Sequence, residues 1–141
     1  VISVDARRRF DEKGEHYTKI NGESCWFECT IKGGREGTDI DVLSWIQTAQ
    51  KLGAGEIFVN SIDADGTKDG YDLALTKSVC DSVSTPVIAS SGCGSPQHMY
   101  DVFVDAGANA ALAASIFHFD EYTIQETKEY LQSRGIPIRL Q

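Results

Sequence analysis

One pattern recurs four times along the 141 residues: a short apolar run, a polar or glycine-rich stretch, then a segment with apolar residues at helical spacing. The apolar runs are Val1–Asp5, Glu56–Ile62, Pro86–Ala89 and Ala110–Ala114. Runs of this length with little polar alternation read as strands buried on both faces. In the first helical segment Thr38 is the expected cap, Val42, Trp45, Ile46 and Ala49 follow the i, i+3, i+4, i+7 rule, and Gly53 stops it. The second runs from about Tyr71 to Ser82 with Leu75, Val79 and Val83 on one side. The third carries Pro96 in its first turn, buries Met99, Val102, Phe103 and Ala106, and ends at Gly107. Thr123 caps the last, which carries Ile124, Thr127 and Leu131 and closes at Gly135 and Pro137. Strands and amphipathic helices in strict alternation imply a parallel sheet covered by helices.

The long polar stretch between the first strand and first helix holds alternating residues at Tyr17–Ile20 and Cys25–Ile31 around an Asn21-Gly22 pair, which reads as a hairpin. Four βα units are an incomplete object, because a (β/α)8 barrel takes eight units and about 250 residues. The small residues of Val87-Ile88-Ala89 and of Ala110–Ala114 suit a packed barrel interior. The expected fold is therefore α/β: half of a (β/α)8 TIM barrel, a (βα)4 parallel sheet with helices outside, plus a β-hairpin after the first strand, in a single domain spanning 1–141.

Charge and composition exclude several functions. The formal charge of −8 argues against a nucleic-acid surface, which needs cations to displace counterions. No apolar run approaches the roughly 18 residues a membrane span requires, and Val1–Val4 leads into Asp5 too soon for a signal core. A cytoplasmic address is the expectation. Cys25, Cys29, Cys80 and Cys93 are not spaced as a disulfide framework and read as thiols. With His16, Cys25 and Cys29 fall one ligand short of a zinc site. Asp65, Thr67, Asp69 and Gly70 imitate the start of a calcium loop, but the twelfth position is Thr76, not Glu. No metal and no cofactor are expected.

Chemistry on such folds gathers at the carboxyl ends of the strands. Asp5 stands there on the first strand, as a general acid/base or as a solvent-facing acid of no consequence. The loop Asp63–Gly70 is either a substrate-contacting loop or a tight turn rich in Asp and Gly. Ser91-Gly92-Cys93-Gly94 can offer bare amides to an anion, and Ala114-Ser115 after the next strand strengthens that reading, since barrels often bind phosphate between their last two strand loops. The plainer alternative is a pair of ordinary βα turns. His98 reads as an exposed helix residue and His118 as a packing or capping residue.

Taken together, Val4-Asp5-Ala6-Arg7, Gly53-Ala54-Gly55-Glu56, the run from Asp63 to Asp72, Ile88-Ala89-Ser90-Ser91-Gly92 and the run from Ala111 to Phe119 closely resemble the cyclase subunit of imidazole glycerol phosphate synthase. The resemblance covers the whole chain and implies the fifth to eighth βα units of that barrel. It implies ring closure in histidine synthesis: ammonia from a glutaminase partner reacts with a bis-phosphorylated ribulosyl-formimino substrate, giving imidazole glycerol phosphate and aminoimidazole carboxamide ribotide. By the same resemblance Asp5 matches one of two acid/base aspartates, and Asp65 matches a substrate-contacting acid. Gly66, Gly92, Ala114 and Ser115 match a phosphate site, and Glu56 matches a member of a charged ring gating ammonia. Ser91 departs from the family, which usually has Gly there. Half an active site implies little or no activity alone. The expected structural partner is the N-terminal half-barrel or a second copy of the chain. The competing functions are the related isomerase of the same pathway and a non-catalytic phosphate-binding module.

Overall fold

The computed structural model describes residues 1–140. Strand β1 (Ile2–Arg9) is followed by β2 (Thr18–Ile20), β3 (Glu23–Ile31) and β4 (Glu36–Asp41), then helix α1 (Val42–Lys51). Next come β5 (Ile57–Ser61), α2 (Leu73–Ser82), β6 (Val87–Ser90), α3 (Pro96–Val104) and β7 (Ala110–Ala111). A short helix α4 (Ser115–His118) precedes α5 (Ile124–Ser133). The path through the sheet is β2-β3-β1-β5-β6-β7, with β4 on β3. Strands β1, β5, β6 and β7 are mutually parallel, which is the curled half-barrel with helices outside that the sequence implies.

Pleating sorts each parallel strand into two faces. Val4 and Ala6 of β1, Ile57 and Val59 of β5 and Val87 of β6 are buried in one apolar cluster with Val42 and Ile46 of α1 and Leu75 and Val79 of α2. Their alternates, Ser3, Asp5, Phe58, Asn60 and Ile88, are only half-buried or exposed and lie on the opposite, concave face. A second cluster joins Ala89, Met99, Val102, Ala106, Ile116 and Leu131, so α3, α4 and α5 pack at the β6–β7 side.

Four expectations are corrected. Strand β1 runs four residues past Asp5, because Asp5–Arg9 pair with Trp26–Thr30 of β3 and gain a ladder on their outer edge. The hairpin is thus part of the main sheet. Thr38 does not cap α1; it lies in β4, where its hydroxyl donates to the Cys29 carbonyl (2.7 Å), and Asp41 is the cap, accepting from the Leu43 amide (2.9 Å). Trp45 is 45% exposed. The inward stripe of α1 is Val42, Ile46 and Ala49, which leaves Trp45 on its shoulder. The β7 ladder covers only Ala110–Ala111, and the chain from Leu112 onward becomes cavity wall.

Candidate functional site

The loop after β5 is fixed before it reaches any site. Arg8, at the end of β1, makes a two-pronged ion pair with Asp72 (Nε–Oδ2 2.8 Å, Nη2–Oδ1 2.9 Å), while its amide donates to Asp63 (2.8 Å). Asp72 is also the N-cap of α2, accepting from the Leu75 amide. One arginine thereby holds both ends of the loop 63–72. The middle of that loop docks on the loop after β6 through backbone alone. The Gly70 amide donates to the Gly92 carbonyl (2.8 Å). A Cβ on Gly92 would run into the Gly70 carbonyl oxygen, and one on Gly94 into that of Lys68. Gly92 also has φ +90°, so glycine is required there twice over.

Two side chains complete the brace. The buried Tyr71 hydroxyl donates to the Leu112 carbonyl (2.8 Å), tying the same loop to the exit of β7. Burial pushes this phenol well above its usual range, so it remains a donor at neutral pH. His98 accepts the Gly94 amide at Nδ1 (3.0 Å), and a Cβ on Gly70 would touch its ring. It is not the free surface residue expected. At the third position of α3 it reaches back to the backbone before the cap, the job a Glu does in a capping box.

These braces enclose a cavity of about 180 Å³ lined by Asp65, Gly66, Ser91, Gly92, Ala114 and Ser115, among others. The expected residues of both loops therefore meet at one place. Among the described residues, the amides of Gly66, Gly92, Ala114 and Ser115 donate to no acceptor. A cavity rimmed with unspent N–H groups suits an anion with several oxygens. Ser91 has φ +79°, a left-handed backbone that glycine adopts without strain and an L-residue adopts at a cost.

Asp5 lies outside this cavity. It sits on the concave face of β1, opposite Asn60 of β5, whose Nδ2 donates to Asp5 Oδ1 (3.0 Å). That bond fixes the carboxylate and leaves Oδ2 for other partners. Asn60 escaped the sequence reading because only the β1–β5 register brings it to Asp5. Glu56 lies at the far end of β5, just before Ile57, where its carbonyl accepts the Ile2 amide. Among the described residues no helix is long and apolar enough to cross a membrane. The four cysteines are free thiols, and burial pushes that of Cys29 up to about 12.

The profile of the family described as "Histidine biosynthesis protein" matches residues 1–123. The chain belongs to this histidine biosynthesis family. Relatives within the family include the "Imidazole glycerol phosphate synthase subunit HisF" of Haloarcula marismortui, 76% identical over 140 residues, covering 99% of this chain and 52% of the relative. The proteins of the same description from Halobacterium salinarum and Methanocaldococcus jannaschii are 73% and 50% identical, with 99% of this chain covered in each. The chain spans about half the length of these curated relatives. The histidine biosynthesis match includes every residue of the cavity and of the Asp5–Asn60 pair.

Proposed function

We propose that this chain is the C-terminal half of the imidazole glycerol phosphate synthase cyclase, a lyase-type enzyme. It would hold one phosphate of the bis-phosphorylated substrate and supply one of two acid/base carboxylates. The observation that carries the proposal is the cavity with its unspent amides at Gly66, Gly92, Ala114 and Ser115, in the loops that follow β5, β6 and β7, together with Asp5 in register with Asn60, one residue before the end of β5. Backbone donors suit this job, since they bind phosphate oxygens without adding a mobile charge to a chain of net charge −8. With the phosphate anchored, the rest of the substrate extends over the concave face toward Asp5. Asn60 holds one oxygen of Asp5 and leaves the other to exchange a proton with the closing imidazole. Asp65, on the cavity rim, contacts the substrate.

Ammonia enters at the opposite end of the strands past Glu56, delivered by a glutaminase subunit, and the address is cytoplasmic, where free thiols persist. The relatives' description favours the cyclase over the related isomerase. Turnover with free ammonia, measured after mixing the chain with its complementary half-barrel, tests the proposal. Asp5→Asn is expected to lower kcat by roughly 10²- to 10⁴-fold with little change in KM. Unchanged turnover would remove Asp5 from the mechanism, and turnover by the chain alone would disprove its dependence on a second half.

A further inference from the structure

Among the described residues, Lys68 is the only basic one lining the phosphate-sized cavity. Its ammonium is paired with the carboxylate of Glu121, which does not line the cavity, and lies 6.0 Å from the centre of the Phe119 ring. The two ends of this pair are differently mounted. The Lys68 backbone has φ +59° and its carbonyl rests on Gly94, so its Cα is held by loop-to-loop docking. Glu121 belongs to the turn between α4 and α5, where its own amide and that of Tyr122 both donate to the Ile116 carbonyl (3.0 and 3.1 Å).

We propose that Lys68 is a conditional ligand of the anion: Glu121 holds its ammonium to one side in the unliganded chain, and a bound phosphate takes it over. This inference rests on the phosphate reading given above. Four amides supply directed donors but no full charge, and Asp65 on the rim opposes an anion. Among the described lining residues, Lys68 is therefore the one cation that can compensate a phosphate dianion. The side chains of Lys68 and Glu121 are 41% and 39% exposed. An ion pair so wetted contributes little by itself, and exchanging its carboxylate for a doubly charged phosphate is easy. The exchange releases the Glu121 side chain while the backbone bonds of its turn to Ile116 persist, so occupancy of the cavity changes the surroundings of that turn.

Titration of the chain with inorganic phosphate, followed through backbone amide resonances, tests this. In the wild-type chain phosphate is expected to move Gly66, Gly92 and Ser115 together with Glu121 and Tyr122. Lys68→Met, which keeps the apolar stem, should weaken binding about tenfold, the size of one charge-assisted hydrogen bond, and silence Glu121 and Tyr122. Glu121→Gln removes the competitor and should tighten binding, by about threefold if the lysine is free in a third of the molecules. Opposite signs for the two variants are what a merely structural brace would not produce. Equal affinity in all three proteins would make the amides the sole ligands and overturn the role of Lys68 while sparing the phosphate site. Weaker binding in both variants would also overturn it, as the mark of a brace. No response of the wild-type chain would sink the phosphate reading itself. Glycerol 3-phosphate separates the sources: tighter binding than inorganic phosphate, with the same dependence on Lys68, is expected of a site for esters. Binding of the free ion alone would overturn a role for Lys68 in holding substrate.

Discussion

Ser91 and Gly92 are neighbours with left-handed backbones and opposite prospects. At Ser91 the left-handed well costs an L-residue roughly 1–2 kcal/mol, and glycine would lose about 0.5–1 kcal/mol more chain entropy on folding. Ser91→Gly should therefore raise stability by roughly 0.5–1 kcal/mol in urea denaturation. Gly92→Ala meets the same backbone penalty plus a collision with the Gly70 carbonyl. It should cost about 2–4 kcal/mol and abolish the phosphate response. At this scale the sequence was informative where local order decides position: Gly92 and Ser115, expected at one rim, line one cavity, whereas Gly66 was singled out only by the family resemblance. It was silent where partners meet only through tertiary register. Asn60 beside Asp5, and Arg8 beside Asp72 far along the chain, are of that kind. His98 lay between these cases, since its place two residues after a helix-opening Pro96 was a local signal for capping.

Among the elements, the hairpin is held by charge as much as by ladder. Glu28 of β3 is 1% exposed. It accepts from Arg7 (2.7 Å), Arg9 (2.9 Å) and the Asp39 amide (2.9 Å), tying β1, β3 and β4 together. Burial alone would raise its carboxyl, but these donors outweigh burial and hold it below its ordinary value of 4.5. A depressed carboxylate contributes stability above its unfolded value, and that contribution disappears as pH falls through the folded value. Thermal unfolding should accordingly show lower stability below about pH 4.5, and Glu28→Gln should flatten that part of the profile. At neutral pH the same variant should cost about 2 kcal/mol, less than a fully buried pair would, because both arginines keep contact with water. The alternating hairpin and the order of strands and helices were legible in hydrophobic period and turn chemistry. The length of β1 and the existence of β4 were not, since a polar strand that pairs only with a hairpin has no apolar stripe to announce it.

At the scale of the whole molecule, two apolar margins face outward. On the β1 side Trp45, Ile40 and Leu52 are exposed, Leu52 by 84%; on the β7 side Leu112 and Val104 are. Margins of this kind rarely remain bare on soluble monomers. The isolated chain is therefore expected to form a homodimer, or a larger even assembly, in sedimentation equilibrium. A well-folded 15.4 kDa monomer at micromolar concentration would contradict that expectation. The extension of β1 also governs how any such neighbour arrives. Because β3 occupies the outer edge of β1 from Asp5 to Arg9, only Ile2–Val4 is open to another strand among the described residues. A newcomer can zip upward from Ile2 but must halt where Thr30 stands against Asp5. Sliding by one residue would turn every side chain of that newcomer to the wrong face. In such an assembly the hairpin would work as a doorstop, limiting the register before any side chain across the seam is consulted.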